Sequence, residues 1–192
     1  DGLLWALFPF TMWIPVAFSQ EYYKDASYDV ITLNSPKEVG LYKNERFFEI
    51  KDFYINRNDF TLFKERHVSG GRSKSLKVTN YYIAPLYCGS EREDTDVAYG
   101  LKFSTSLNHG LLFRDEQPKK IWEFNIKSAS EFTFYDLDSV TYFEKQVDSE
   151  DATNFAAAWK ENDLLNQNVN PIVLVAKTET FQQSLKRKRN IA

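Results

Sequence analysis

Val97-Ala98-Tyr99-Gly100-Leu101-Lys102-Phe103-Ser104-Thr105-Ser106-Leu107 decides the fold class. Val97, Tyr99, Leu101, Phe103 and Leu107 share one parity, while Gly100, Lys102, Ser104 and Ser106 share the other. Successive side chains of a strand point to opposite faces, so this alternation predicts a strand with one face on a core and the other in water.

Working upstream, residues 59–68 and 72–83 read as a hairpin, with Ser69-Gly70-Gly71 supplying the positive φ angles of the turn. Ala84-Pro85 is expected to end or edge the second strand, because proline cannot donate to a ladder. Residues 30–33 form a short β-branched run stopped by Asn34-Ser35-Pro36. Residues 46–55 read as another strand, with a phase change near Lys51-Asp52 that predicts a bulge or a bend.

Downstream, residues 111–113, 121–126, 132–135 and 140–146 are expected to be strands. In 121–126, Trp122, Phe124 and Ile126 would share one face, and Asp136-Leu137-Asp138 would split the last two segments. Pro171 opens a final strand over 172–176. The fold expected is mainly β, a barrel-like or sandwich-like domain of about eight short strands.

One amphipathic helix near 149–162 interrupts them. Ser149 can cap it, Glu150 and Asp151 suit its first turn, and Ala152, Phe155, Ala156 and Trp159 make one apolar stripe. The tail from 178 to 189 can also be helical, with Phe181 and Leu185 four apart. The expected organisation is an apolar segment over 1–20, a linker over 21–27, a β-rich domain over 28–177 and a basic tail over 178–192.

Gly2 to Gln20 holds no charged residue. As a helix, nineteen residues would reach roughly 28 Å, about one hydrocarbon core. Leu3, Leu4, Trp5, Leu7, Phe8, Phe10, Trp13, Ile14, Val16 and Phe18 would then face lipid, in an N-terminal apolar membrane helix. Ala17-Phe18-Ser19 also matches a signal-cleavage pattern, and a buried or partner-docking segment is the third option. Pro9 and Pro15 weaken an uninterrupted helix.

Composition bounds the rest. Hydrophobic residues make 43 % of the chain and aromatics 16 %, enough for one core and against disorder. The net charge of −3 gives no global pull on nucleic acid, which is not an expected partner. The single cysteine, Cys88, excludes an internal disulfide and any multi-cysteine metal centre, and reads as a small buried hydrophobe. Glu91, Glu93, Asp94 and Asp96 match no calcium loop, and Gly70-Gly71-Arg72-Ser73-Lys74 lacks the glycine spacing of a phosphate loop. No cofactor or metal is expected.

Lys186-Arg187-Lys188-Arg189 is the most functional-looking run, suited to an anionic lipid surface or to the cytoplasmic edge of a further membrane helix. The expected function is a non-enzymatic, membrane-anchored β-domain, an accessory or scaffold subunit whose partners are the bilayer and other membrane-protein subunits. Export of the domain is the preferred side. The alternative is a small-barrel module that binds oligosaccharide, lipid or single-stranded nucleic acid through exposed rings. A third option is a hydrolase using His67 or His109.

Overall fold

The computed structural model describes residues 25–69, 75–89, 95–108, 116–147, 149–161 and 169–191. Its eight described strands are β1 (Val30–Leu33), β2 (Phe47–Ile50), β3 (Tyr54–Ile55), β4 (Thr61–Ser69), β5 (Ser75–Tyr87), β6 (Val97–Asn108), β7 (Tyr142–Lys145) and β8 (Ile172–Lys177). They form one curled, half-barrel sheet in the order β1-β2-β7-β8-β6-β5-β3, with β4 also on β5. β1 runs parallel to β2 and β6 parallel to β8; the other pairs are antiparallel. The mainly-β expectation holds.

The phase change near Lys51-Asp52 turns out to be a corner. β2 pairs with β1 and β7 near one end of the sheet, while β3 pairs Tyr54 with Tyr87 at the other end. Three residues join them, so the sheet must curl until its two ends approach.

Of the two expectations for Pro85, only the strand end is corrected, because β5 runs on to Tyr87. Along a strand the N–H and C=O of one residue point to the same side. The Pro85 carbonyl accepts from the Asn56 N–H at 3.4 Å, on the side where β4 stops at Ile83 and β3 begins at Leu86. The missing N–H therefore falls in the gap between two neighbours and costs the ladder nothing.

The inner face carries the main core: Phe48, Tyr82, Ala84, Leu86, Tyr99, Phe143 and Leu174, all buried. Helix α1 (Gln117–Thr133) lies in the open side of the half-barrel. Its Phe132 ring stacks on Tyr82 at 5.2 Å and on Tyr99 at 5.7 Å. Asn80 donates to Asn125 Oδ1 at 3.0 Å and Ser128 Oγ at 2.9 Å, and Tyr82 shares a hydrogen bond with Ser128, so buried polar groups fix the helix on the sheet.

This helix replaces the strands expected over 121–126 and 132–135. Trp122, Phe124 and Ile126 alternate, but the residues turned inward are Gln117, Ser128 and Phe132, while Trp122 and Ile126 are exposed. Tertiary fit follows the 3.6-residue period here. Pro118 in the first turn and the four-apart pairs Glu116–Lys120, Lys119–Glu123 and Lys127–Glu131 are helix signals in the same stretch.

The outer face carries two more helices. Helix α2 (Glu150–Lys160) is the expected one, and Ser149 Oγ caps it by accepting from the Ala152 N–H at 3.1 Å. Its Phe155, Ala158 and Trp159 pack on Tyr81, Ile83, Ala98 and Val173. The outer parity of β6 therefore meets water only beyond Gly100, since Ala98 and Gly100 lie under α2. Helix α3 (Phe181–Ile191) packs Phe181 on Phe47 at 4.7 Å and on Tyr142 at 5.7 Å. Thr180 and Gln183 cap it reciprocally.

Candidate functional site

Helix α3 brings the basic run into a defined place. Lys186, Arg187 and Arg189 are exposed, whereas Lys188 is half-buried and pairs with the buried Asp25. Asp25 also takes the Arg46 guanidinium at 2.9 Å. Arg46 reaches on to Glu144 at 2.6 Å, and Lys177 holds the other Glu144 oxygen at 2.9 Å. Burial pushes the Glu144 carboxyl up, but Lys177 and Arg46 outweigh it and hold the group below the usual carboxylate range. Arg187 pairs with Glu179 at 2.8 Å. Among the described residues, no carboxylate pairs with Lys186 or Arg189.

Asp25 is the first described residue after the uncharged stretch. The ion pair with Lys188 ties Asp25 to the basic helix. Leu3, Leu4, Trp5, Leu7, Phe8, Phe10, Trp13, Ile14, Val16 and Phe18 lie outside the described residues. Among the described residues, no helix is long and apolar enough to cross a membrane. A shallow groove of about 300 Å³ runs along the outer side of α3, lined by Gln182, Leu185, Lys186 and Arg189.

A second polar cluster sits on the outer face beyond the start of α2. A groove of about 290 Å³ is lined by Glu65, His67, Lys77, Thr79, Tyr81 and Lys102, among others. Lys102 binds both Asp151 oxygens, at 2.6 and 2.9 Å. The Tyr81 hydroxyl donates to Asp151 at 2.9 Å and lies 3.3 Å from Glu65. Burial, with Asp151 and Glu65 adding to it, pushes the Tyr81 phenol well above its ordinary range, so it serves as a donor. His67 is exposed and lies in this groove without a hydrogen bond to any described residue, and His109 lies outside the described residues.

A cleft of about 700 Å³ lies at the β2–β3 corner between Glu49, Lys51, Asp52, Tyr54 and Asp138. Arg57 at its wall is committed to the carbonyls of Thr133 and Tyr135. Among the described residues, no group of three His, Cys, Asp or Glu side chains is placed to hold a metal ion. Cys88 is half-buried, and its thiol lies 3.9 Å from Asp52. Asp96 is described, but Glu91, Glu93 and Asp94 are not, nor are residues 70–74.

Tyr81, Tyr82 and Tyr99 of the sheet are spent on packing, each at most 1 % exposed. The exposed rings among the described residues are Trp122 on α1, Phe134 just after it and Tyr54 on β3. Sequence reasoning missed the Asp25–Arg46–Glu144–Lys177 network, whose members lie far apart in the chain; the β2–β7 and β7–β8 pairings bring Arg46, Glu144 and Lys177 together, and Asp25 joins through Arg46. Comparison with known proteins returns no match to a family model, a curated protein or a solved structure.

Proposed function

We propose that this chain is a non-enzymatic β-domain held at a membrane, where it acts as an accessory or scaffold subunit of a membrane-protein assembly. The observation that carries the reading is the Asp25–Lys188 ion pair. It ties Asp25, five positions beyond the uncharged stretch in sequence, to α3, whose Lys186, Arg187 and Arg189 are exposed. An apolar anchor together with a basic helix would complement an anionic bilayer, each surface cation adding ~1 kcal/mol. Support for binding over catalysis comes from the filled interior, where Phe132 of α1 occupies the curl of the sheet. The exported side is the preferred location for the domain.

The test is fractionation. The full chain should stay with membranes through an alkaline carbonate wash. A deletion of residues 1–20, shown folded by circular dichroism, should lose that resistance and bind phosphatidylglycerol vesicles only at low salt. Lys186→Glu with Arg189→Glu should abolish the residual binding. Recovery of the full chain in the soluble fraction would overturn the proposal, as would salt-resistant membrane binding by the deletion.

A further inference from the structure

We propose that the outward face of α1 is a self-association surface, on which a second copy of this chain seats its own α1 antiparallel. The inference does not rest on the membrane reading. It starts from what α1 leaves unpartnered. One side of the helix fills the half-barrel through Asn125, Ser128 and Phe132. The other side carries Trp122, 63 % exposed, and Ile126, 50 % exposed, four residues apart and so neighbours on one stripe. Large apolar groups left in water beside one another mark an interaction surface more often than isolated ones do.

Charge names the occupant. Beside the apolar stripe runs the row Lys119, Glu123, Lys127, Glu131, which alternates in sign at every four-residue step. Two antiparallel helices related by a two-fold axis bring the same flank of each helix face to face. An axis crossing the outward face at the level of residue 125 sets Lys119 opposite Glu131 of the partner and Glu123 opposite Lys127 of the partner, and symmetry doubles each pair. In-register parallel pairing of the same rows would instead oppose like charges. Within one chain these residues meet only loosely, at 3.9 Å for Lys119–Glu123 and 3.7 Å for Lys127–Glu131, with all four side chains about half exposed or more. Little is lost when they turn to a partner.

The helix is about 25 Å long at ~1.5 Å per residue, so one helix pair covers less than the roughly 800 Å² per partner of a standard interface. A dimer held by so small an interface is expected to be weak and concentration-dependent, with an affinity on the order of micromolar.

The test uses the full chain in mild detergent, followed by sedimentation velocity from about 1 to 200 µM, the range that brackets such affinity. The expected result is a monomer–dimer equilibrium. Glu123→Lys should weaken it at least about tenfold, because Lys then faces Lys twice across the axis. Adding Lys127→Glu to Glu123→Lys should restore it, since each new lysine then faces a new glutamate. Both sites are exposed, and circular dichroism checks that the variants fold. In a Cys88→Ser background, Ile126→Cys should cross-link under mild oxidation faster than Val68→Cys, an equally exposed control on β4. A monomer at every concentration overturns the proposal. So does a dimer indifferent to the charge reversal, which would be held by the apolar N-terminal stretch or by another face, and so does cross-linking no faster than the control.

Discussion

Gly100→Ala tests how closely α2 sits on the sheet. Gly100 lies on β6 opposite Ile83, at the point where the outer face passes from covered to solvated. A Cβ built there would stand 2.8 Å from Val173 Cγ1 and 2.9 Å from Phe155 Cε1, both inside van der Waals contact. Neither neighbour yields easily: Val173 is in β8 and 3 % exposed, and Phe155 is 1 % exposed with its ring edge-on to Tyr81 at 5.2 Å. Two opposed effects decide the sign. Alanine in place of a strand glycine gains about 0.5–1 kcal/mol by restricting the unfolded chain. Overpacking a tight core costs about 1–3 kcal/mol. With two rigid contacts the cost wins, and the net loss should be about 1–2 kcal/mol. For a chain of this length that lowers Tm by roughly 2–8 °C. Thermal unfolding by circular dichroism reads the loss. Phe155→Leu should cost less when combined with Gly100→Ala than alone, because it frees the space the new methyl needs. A Gly100→Ala variant as stable as the parent, or more so, would refute the packing of α2 argued here.

Two further predictions use the interior and the ion network. Phe132→Ala removes the ring that fills the curl of the sheet, and at 0 % exposure it should cost about 3–5 kcal/mol in urea unfolding; a loss under about 1 kcal/mol would mean α1 does not occupy the barrel. Glu144→Gln keeps the shape but leaves Arg46 and Lys177 without their shared anion. It should cost about 2–3 kcal/mol at neutral pH, below the figure for a dry pair because those cations keep 26 % and 31 % exposure. The carboxyl sits below its ordinary value of 4.5 in the folded state, so its stabilisation is present above that pH and is lost as pH falls through the folded value. The gap between parent and Glu144→Gln should close in acid, and an equal gap at neutral and acid pH would refute the network.

What the residues disclosed, and what they hid, follows from the range of the interactions. The β4–β5 pairing, β6, the capped α2 and the last strand were legible because period, cap and turn chemistry are local. The two-sided burial of β6 near Ala98 and Gly100 was not, since nothing in an alternating strand says that a helix arriving fifty residues later will cover its small-residue end. The segment over 117–133 misled in a different way. Trp122, Phe124 and Ile126 mimic a strand at period two, yet two of the three face water; Ser128, buried, fills an inward position and looks polar in sequence. A buried Asn80–Ser128–Asn125 contact inverts the usual equation of polar with exposed, so hydrophobic periodicity misassigns the element. The corner at Lys51-Asp52 was visible as a change of phase, but its consequence, a jump towards the opposite end of the sheet, depends on which strands pair.

The basic tail shows why a run of like charge in sequence is not the same object as a charged patch in space. Of four consecutive cations, Lys188 is turned inward and neutralised by Asp25, and Arg187 is tied to Glu179. The pairing of Lys188 has a structural role: Asp25 is 3 % exposed and would be costly to bury without Lys188 and Arg46. That leaves Lys186 and Arg189 unpaired among the described residues, with Arg187 shared. At ~1 kcal/mol per cation beside an anionic surface, two to three charges orient a domain without holding it there. On the membrane reading the labour is therefore divided. In that proposal the nineteen uncharged residues would supply retention, and α3 would choose which face of the half-barrel meets the lipid. Weak basic attraction with strong apolar insertion predicts that salt alters the domain's orientation but not its attachment.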